Sequence, residues 1–480
     1  MVKITKIEIK NFRAFYGTYQ IDLHRAGKSL LIYGENGSGK TSLYKAIELF
    51  LDSSENEAID FKDYQNIFNA DKGHIKLHLR TNPASNEHVY EWSDDVKETV
   101  DLPIVNASKS KGFLDYKALL HTHYLHYEKD IVDVFDLLIE NLLANVINDR
   151  TGQSISEEWQ NISEQIPLAP AHDLETFNAQ IDIFNIAVSN HLMELQTKAS
   201  EILRKFGDEG ALVTLDFGFQ GIAYDPEDKA LNYKEILLKV KFLDENIPAH
   251  HQFLNEAKLS AIALAIYFAG FLLQPESDLK IFALDDVLIG LDMSNRLPVL
   301  DILDEYFPDY QIFLTTYDKA WYEIVKQRTS RGGKWKAVEF YFGQTDEYEI
   351  PVYAEDKAYL EKAREYLDAN DYKACAIYVR TAFEAAIKQY CEKNDLAIKY
   401  RENPRDLKSE DFWVPIKMET DAAGLPLLDL RVVDAIERAR KFILNELSHA
   451  TFVNIYKKEL EDAIDAVEEL EGHCLTIPML

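Results

Sequence analysis

The sequence predicts an α/β fold split by a short helical insertion and followed by a C-terminal α-helical bundle. Residues 1–130 and 207–352 each alternate short apolar, β-branched runs with amphipathic helical periods. Between them, residues 131–206 change to long helical periods, with Leu192, Leu195, Ile202 and Leu203 on one stripe and a proline-bearing break at 166–170. That pattern reads as a helical hairpin, and the two flanking blocks are expected to complete one sheet. From 353 to 480 the period is helical again.

In the first block, Ile4, Ile7 and Ile9 open a strand that leads into Asn11-Phe12-Arg13-Ala14-Phe15. Leu31-Ile32-Tyr33 then reads as a buried strand turning sharply into Gly34-Glu35-Asn36-Gly37-Ser38-Gly39-Lys40-Thr41, the pattern G-x-x-x-x-G-K-[ST]. Its glycines let successive backbone N–H groups curl around phosphates, and Lys40 neutralises the β/γ oxygens. Thr41 offers a hydroxyl to Mg²⁺ at the start of a helix over 41–51, apolar at Leu43, Ala46, Ile47 and Phe50. The expected ligands are ATP and Mg²⁺. Further strands are expected at 75–79 and 90–92.

The second block opens with 211–224 and 233–243, which alternate like paired strands across the turn Asp225-Pro226-Glu227-Asp228. Phe253-Leu254-Asn255-Glu256-Ala257-Lys258-Leu259-Ser260 leads into an apolar helix over 261–273. Next, Leu279-Lys280-Ile281-Phe282-Ala283-Leu284-Asp285-Asp286 is a strand ending in two acids. Such a pair can divide the labour, Asp285 holding the Mg²⁺ shell and Asp286 orienting or activating water. Gly290-Leu291-Asp292 and Ile312-Phe313-Leu314-Thr315-Thr316-Tyr317-Asp318 follow in that order.

This succession resembles the RecF, SMC and break-repair branch of ABC ATPases over about residues 1–345. The resemblance includes Asn11-Phe12-Arg13 and the helical insertion between head halves. It implies an ABC-type head in which Arg13 and Ser42 join Gly34, Asn36, Gly37, Ser38, Gly39, Lys40 and Thr41 around the nucleotide. Asn255 would act on the γ-phosphate of another protomer, so the head would work as a homo-oligomer, at least a dimer. Asn255 stands where a serine is usual and Ala257 where glycine is. Asp286 replaces a glutamate base and Tyr317 a switch histidine, giving a shorter carboxylate and a hydrogen-bond donor without positive charge. Slow turnover is the expectation, with Asp286 and Tyr317 as the catalytic pair; the bland alternative for Tyr317 is packing against Trp321. The glutamine expected near the cation has two candidates, Gln65 and the segment 113–117. Within the branch, Leu254-Asn255-Glu256-Ala257-Lys258 and Thr316-Tyr317-Asp318 look most like antiphage-defence ATPases of the PARIS and Septu systems.

The formal charge of −30 over 480 residues opposes sequence-independent DNA binding, so weak or no direct DNA binding is expected. A basic cluster at Lys326, Arg328, Arg331, Lys334 and Lys336 reads as a solvated loop between strands. The longest apolar stretch, 262–273, is too short for a bilayer, and no leader pattern opens the chain; a cytoplasmic protein without membrane contact is expected. Cys375, Cys391 and Cys474 are odd in number and unclustered. An insertion of this length makes only a short projection, which excludes long-arm tethering.

The tail resembles HEPN-type bundles, with Arg380, Glu384, Asn445 and His449 in the relevant places. The R-x4-6-H spacing of HEPN ribonucleases is not met, because Arg440 precedes His449 by too many residues. A buried Arg380–Glu384 pair with His449 capping the bundle is therefore expected, in an assembly or docking module. The function expected is an ATPase that controls a partner effector nuclease in antiphage defence. The alternatives are a one-chain ATP-controlled ribonuclease and a RecF-like repair factor.

Overall fold

The computed structural model describes the chain except residues 123–130, 167–170, 208–211, 331, 345–348, 356–358, 400, 402–406, 421–425, 441–456 and 477–480. Contacts divide it into two units, Met1–Glu355 and Asp356–Leu480. In the first, β1 (Lys3–Phe12) pairs antiparallel with β2 (Phe15–Asp22), and β3 (Ser29–Gly34) runs into α1 (Lys40–Asp52). Then come β4 (His74–Arg80), β5 (His88–Ser93) and β6 (Gly112–Asp115). The insertion supplies β7 (Val132–Asp133), α2 (Ile155–Glu164) and α3 (Ala171–Arg204). Strands β8 (Val213–Gly218), β9 (Ala223–Asp225), β10 (Ala230–Asn232), β11 (Leu237–Phe242) and β12 (Glu245–Ile247) precede α4 (Glu256–Leu272). Last are β13 (Ile281–Asp285), α5 (Met293–Tyr306), β14 (Gln311–Thr316), α6 (Lys319–Ser330), β15 (Trp335–Gln344) and β16 (Glu349–Glu355).

The two α/β blocks do share a sheet. Its order is β16-β15-β3-β14-β13-β6, parallel throughout except for the β15–β16 pair. Side chains alternate across it with period two. Leu30, Ile32, Ile281, Ala283 and Phe313 face one core with Leu43, Ile47 and Phe50 of α1. Leu31, Phe282, Leu284, Ile312 and Leu314 face a second core with α3 and α4. Burial on both faces explains why these strands read as continuous apolar runs. A second, antiparallel sheet, β2-β1-β4-β5, rests on the α1 side.

Several expectations need correcting. The insertion is not wholly helical: β7 pairs with β11, so its first residues extend a third sheet. The stripe Leu192, Leu195, Ile202 and Leu203 is buried in the core that α4 shares, so α3 lies along the head rather than projecting from it. The turn at 225–228 closes only the small β9–β10 hairpin, while the long pairing joins β8 to β11. Helix α4 begins at Glu256, earlier than expected, and Leu259 to Phe271 are all buried. A helix apolar on every side needs such surroundings. The basic cluster is only partly loop: Lys334 lies between α6 and β15, but Lys326 and Arg328 lie on α6 and Lys336 on β15, while Arg331 is outside the described residues. Arg328 pairs with Asp301, and Lys336 Nζ donates to the Asp22 carbonyl at 2.7 Å.

The second unit contains α7 (Tyr359–Asp368), α8 (Tyr372–Lys393), α9 (Ser409–Met418), α10 (Leu430–Ala439) and α11 (Lys457–Thr476). Val379, Phe383, Ile387, Trp413, Ile436, Leu460 and Val467 form its own core. Arg380 and Glu384 pair at 2.9 Å, but their side chains are 37% and 38% exposed, so this is a surface ion pair and not a buried one. Asn445 and His449 lie outside the described residues.

Phe282 stacks on Phe307 with ring centroids 4.5 Å apart and is fully buried in the second core. Phe282→Ala should therefore cost about 3–5 kcal/mol of head stability, read as a lowered urea midpoint.

Candidate functional site

Parallel register brings the C-terminal ends of β3, β14 and β13 to one edge, with Tyr33 beside Thr316 and Asp285 beside Thr315. From β3 the chain loops through Gly34 to Gly39 and enters α1. Gly39 is the N-cap of that helix with φ 97°, and Gly37 has φ 85°, both in the left-handed region that suits glycine. Gly34 has no room for a side chain, since a Cβ would lie 2.3 Å from Ser38 Oγ and 2.9 Å from the Phe340 carbonyl oxygen. Asn36 is exposed at the loop tip. Ser38 Oγ is buried with no hydrogen-bond partner, an uncommon and costly state for a hydroxyl.

Lys40, only 4% exposed, donates to the Gly34 carbonyl at 2.7 Å and the Glu35 carbonyl at 3.2 Å, and its Nζ lies 3.3 Å from Asp286 Oδ2. Thr41 Oγ1 donates to Asp285 Oδ2 at 2.8 Å. Thr315 Oγ1 donates to the other oxygen, Oδ1, at 2.6 Å, and accepts from the Asp286 N–H at 3.2 Å. Asp286 itself sits at φ 53°, a left-handed conformation of the kind that costs roughly 1–3 kcal/mol and persists only where surroundings enforce it. Its Oδ1 accepts from the Tyr317 N–H at 2.9 Å. Burial raises the Asp286 carboxyl above its ordinary range; the Lys40 charge opposes this and the Asp285 charge adds to it.

Some expected residues sit at one remove. Ser42 is buried and its Oγ accepts from the Ala14 N–H at 3.4 Å, tying α1 to the β1–β2 turn. Arg13 is held in that turn at φ 48°, its N–H donating to the Tyr64 carbonyl at 2.8 Å while its side chain is exposed. Asn255 is the N-cap of α4: its Oδ1 accepts from the Lys258 N–H at 2.9 Å. Nothing in the monomer brings Asn255 to the Lys40 loop within the described contacts. Tyr317 is 42% exposed and lines the same small pocket as Trp321, Asp286 and Arg296.

Asp115, within the candidate segment 113–117, and Arg296, not singled out from sequence, both bear on the site. Asp115 ends β6 level with Asp285 in the parallel register, adding a third carboxylate to that edge; its Oδ1 caps the short helix Tyr116–Leu120 by accepting from the Ala118 N–H at 2.8 Å. Gln65, the other candidate, braces a loop through the Asn69 and Asp71 carbonyls. Arg296 of α5 joins Gly290-Leu291-Asp292 to the end of β14: its Nε donates to the Leu291 carbonyl at 2.8 Å and its Nη1 to Asp318 Oδ2 at 2.6 Å. Burial would raise Asp318, but that guanidinium together with the Trp321 and Ala320 N–H groups outweighs it and the carboxyl ends below its usual range.

A sequence model of the RecF/RecN/SMC N terminal domain matches residues 3–331, more than half of the chain. The chain belongs to that family. It carries an ATP-binding ABC/SMC-like ATPase head with additional C-terminal helices beyond the matched region. The head is similar to the Smc head bound to the C-winged helix domain of ScpA, at 16% identity and TM-score 0.43, covering 75% of this chain and 99% of that one. The Pyrococcus furiosus Smc head with an extended coiled coil, bound to the C-terminal domain of ScpA, matches at 16% identity and TM-score 0.41, covering 77% and 100%. The recombination mediator RecF matches at 13% identity and TM-score 0.42, covering 73% and 98%. No curated protein sequence matches the chain. Among the described residues, no helix is long and apolar enough to cross a membrane.

Because Asn255 caps α4 through its side-chain oxygen, Asn255→Ala should destabilise the SMC-family head by about 1 kcal/mol while Asn255→Asp keeps the cap. Thermal melts of the two variants check this.

Proposed function

We propose that the chain binds ATP with Mg²⁺ at the edge formed by β3, β13 and β14 and hydrolyses it slowly. It does so as an oligomer of heads whose ATP occupancy governs a partner effector, a nuclease, in antiphage defence. The observation that carries the site reading is a double contact: adjacent Lys40 and Thr41 meet adjacent Asp286 and Asp285. The residues fit a triphosphate. Lys40 is buried among acceptors that phosphate oxygens would replace, and the Ser38 hydroxyl has a hydrogen bond to give. They also fit a hard cation. Among the described residues no three His, Cys, Asp or Glu side chains converge, so Thr41 and Asp285 would supply the protein oxygens and phosphates and water the rest.

Bound Mg²⁺ neutralises charge on the transferring phosphoryl group. Lys40 would share that work, and the glycine loop would supply N–H donors at the N-terminus of α1. Asp286 takes the proton of the attacking water. The Tyr317 backbone N–H stands next to it, and we assign its phenol to donating a hydrogen bond to the γ-phosphate. The N-terminus of α4 and the Asn255 amide serve the γ-phosphate of a second copy, which is why the site needs at least a dimer.

The defence role rests on the resemblance carried by Leu254 to Lys258 and Thr316 to Asp318. Two structural features agree with it. Helix α3 is packed on the head and makes no long arm, and the second unit supplies a module outside the matched family region. We assign that module to assembly and docking of the effector.

Lys40→Ala removes the charge facing the β/γ-phosphates and should weaken ATP binding about 10- to 100-fold in a calorimetric titration. Asp286→Asn should retain binding and lower steady-state phosphate release by about 100-fold, because an amide cannot accept the proton. Unchanged affinity in Lys40→Ala refutes the site. Direct binding to random duplex DNA should be weak at physiological salt, given the charge of −30 and the engagement of Arg328 and Lys336 within the head. A tight, salt-resistant complex in an anisotropy titration would favour the repair reading.

A further inference from the structure

Thr315 lies on the central strand β14 and is 4% exposed, between Leu314 and Thr316 in a strand buried along its whole length. A buried hydroxyl is costly unless it is used, and valine would fill the same volume without that cost. The Thr315 hydroxyl is used twice, both times by the acids at the end of β13. It donates to Asp285 Oδ1 at 2.6 Å and accepts from the Asp286 backbone N–H at 3.2 Å. Neither contact belongs to the β13–β14 ladder. Across that ladder Thr315 is the register partner of Asp285, so the sheet fixes where the hydroxyl stands.

The geometry points to Thr315 as a positioning residue of the nucleotide site, acting through Asp285 and Asp286. This inference rests on the reading of that site as an ATP and Mg²⁺ site. A carboxylate turns easily about its terminal torsion, where the energy wells are broad. With Thr315 holding Oδ1 and Thr41 holding Oδ2, the Asp285 carboxylate plane is set before any cation arrives. The second contact acts on the backbone. The left-handed turn at Asp286 brings its Oδ2 within 3.3 Å of Lys40 Nζ and its Oδ1 within reach of the Tyr317 N–H, and the Thr315 oxygen satisfies the N–H at that turn. One hydroxyl thereby aligns both the residue assigned to the cation and the residue assigned to water. Thr315 touches neither phosphate nor water in this scheme.

The test uses the full chain and a fluorescent ATP analogue, titrated once with EDTA and once with Mg²⁺. Wild type is compared with Thr315→Val, Thr315→Ser, Asp285→Asn, the Asp285→Asn/Thr315→Val double variant and Lys40→Ala. Thr315→Val should bind as wild type in EDTA and lose about tenfold of the affinity that Mg²⁺ adds, the size expected for a lost hydrogen bond to a charged group. Thr315→Ser should restore it. If Thr315 works through Asp285, the double variant should bind in Mg²⁺ no worse than Asp285→Asn alone. A Thr315→Val protein with the Mg²⁺ gain of wild type overturns the assignment, as does a double variant in which the two losses add. Equal loss in EDTA and Mg²⁺, or failure of serine to restore the gain, marks a packing role and also overturns it. Should Thr315→Val fold poorly in a thermal melt, Thr315→Ala and Thr315→Ser decide by the same criteria. Failure of the site reading itself is separate: it appears as unaltered binding by Lys40→Ala under both conditions.

Discussion

Because β3, β14 and β13 run parallel in continuous register, three segments far apart in sequence end level with one another, and every polar contact at the site follows from that levelness. Lys40 and Thr41 open the helix that follows β3 and its loop, Asp285 and Asp286 come from the end of β13, and Thr315 from the strand between. A register slip of one residue would turn the Asp285 and Thr315 side chains to the opposite face of the sheet. What prevents the slip is the apolar alternation of the same strands, with Leu31, Leu284 and Leu314 committed to one core and Ile32, Ala283 and Phe313 to the other. The packing that stabilises the head is thus also what aligns its chemistry.

Sequence made the phosphate loop legible because its chemistry is contiguous: glycines, lysine and threonine within eight residues, flanked by a strand and a helix. The acids at the end of β13 were legible for a similar reason, an apolar run stopping at two carboxylates. Asp115 fell within the candidate segment 113–117, but its place beside Asp285 was not legible, since it exists only through the pairing of the four-residue β6 with β13, a long-range fact with no local period. Gln65 was an equal candidate on residue type alone, and the structure spends its amide on nearby carbonyls. The insertion illustrates a different limit. Its apolar stripe was correctly read as helical, but a stripe does not say what covers it. Here the cover is α4 and the head core rather than a second arm of a projecting hairpin. The Arg380–Glu384 pair was likewise visible as a helical spacing, while its exposure depends on the bundle around it.

The departures from the family pattern now have physical surroundings. Asn255 fills the cap position that serine would fill, and it satisfies an N–H of the first turn of α4. Ala257 is partly buried and packs against the second core, so its methyl group has a place in the monomer. Asp286 is shorter than a glutamate, yet its left-handed backbone brings the carboxylate onto Lys40 without the extra methylene. Substitutions that looked like losses from sequence alone are accommodated by local geometry.

Helix α4 has apolar contacts on every side from Leu259 to Phe271, with its capped end at Asn255 emerging at the surface. A rod so embedded has no soft side along which to slide or roll. Any push on its tip is therefore passed undamped to α3 and the central sheet, because a close-packed interior transmits strain instead of absorbing it. The tip of α4 and the face of the central sheet below Asp285 are thus built into one apolar core, which also contains α3. A displacement of the capped end would be carried into that shared core.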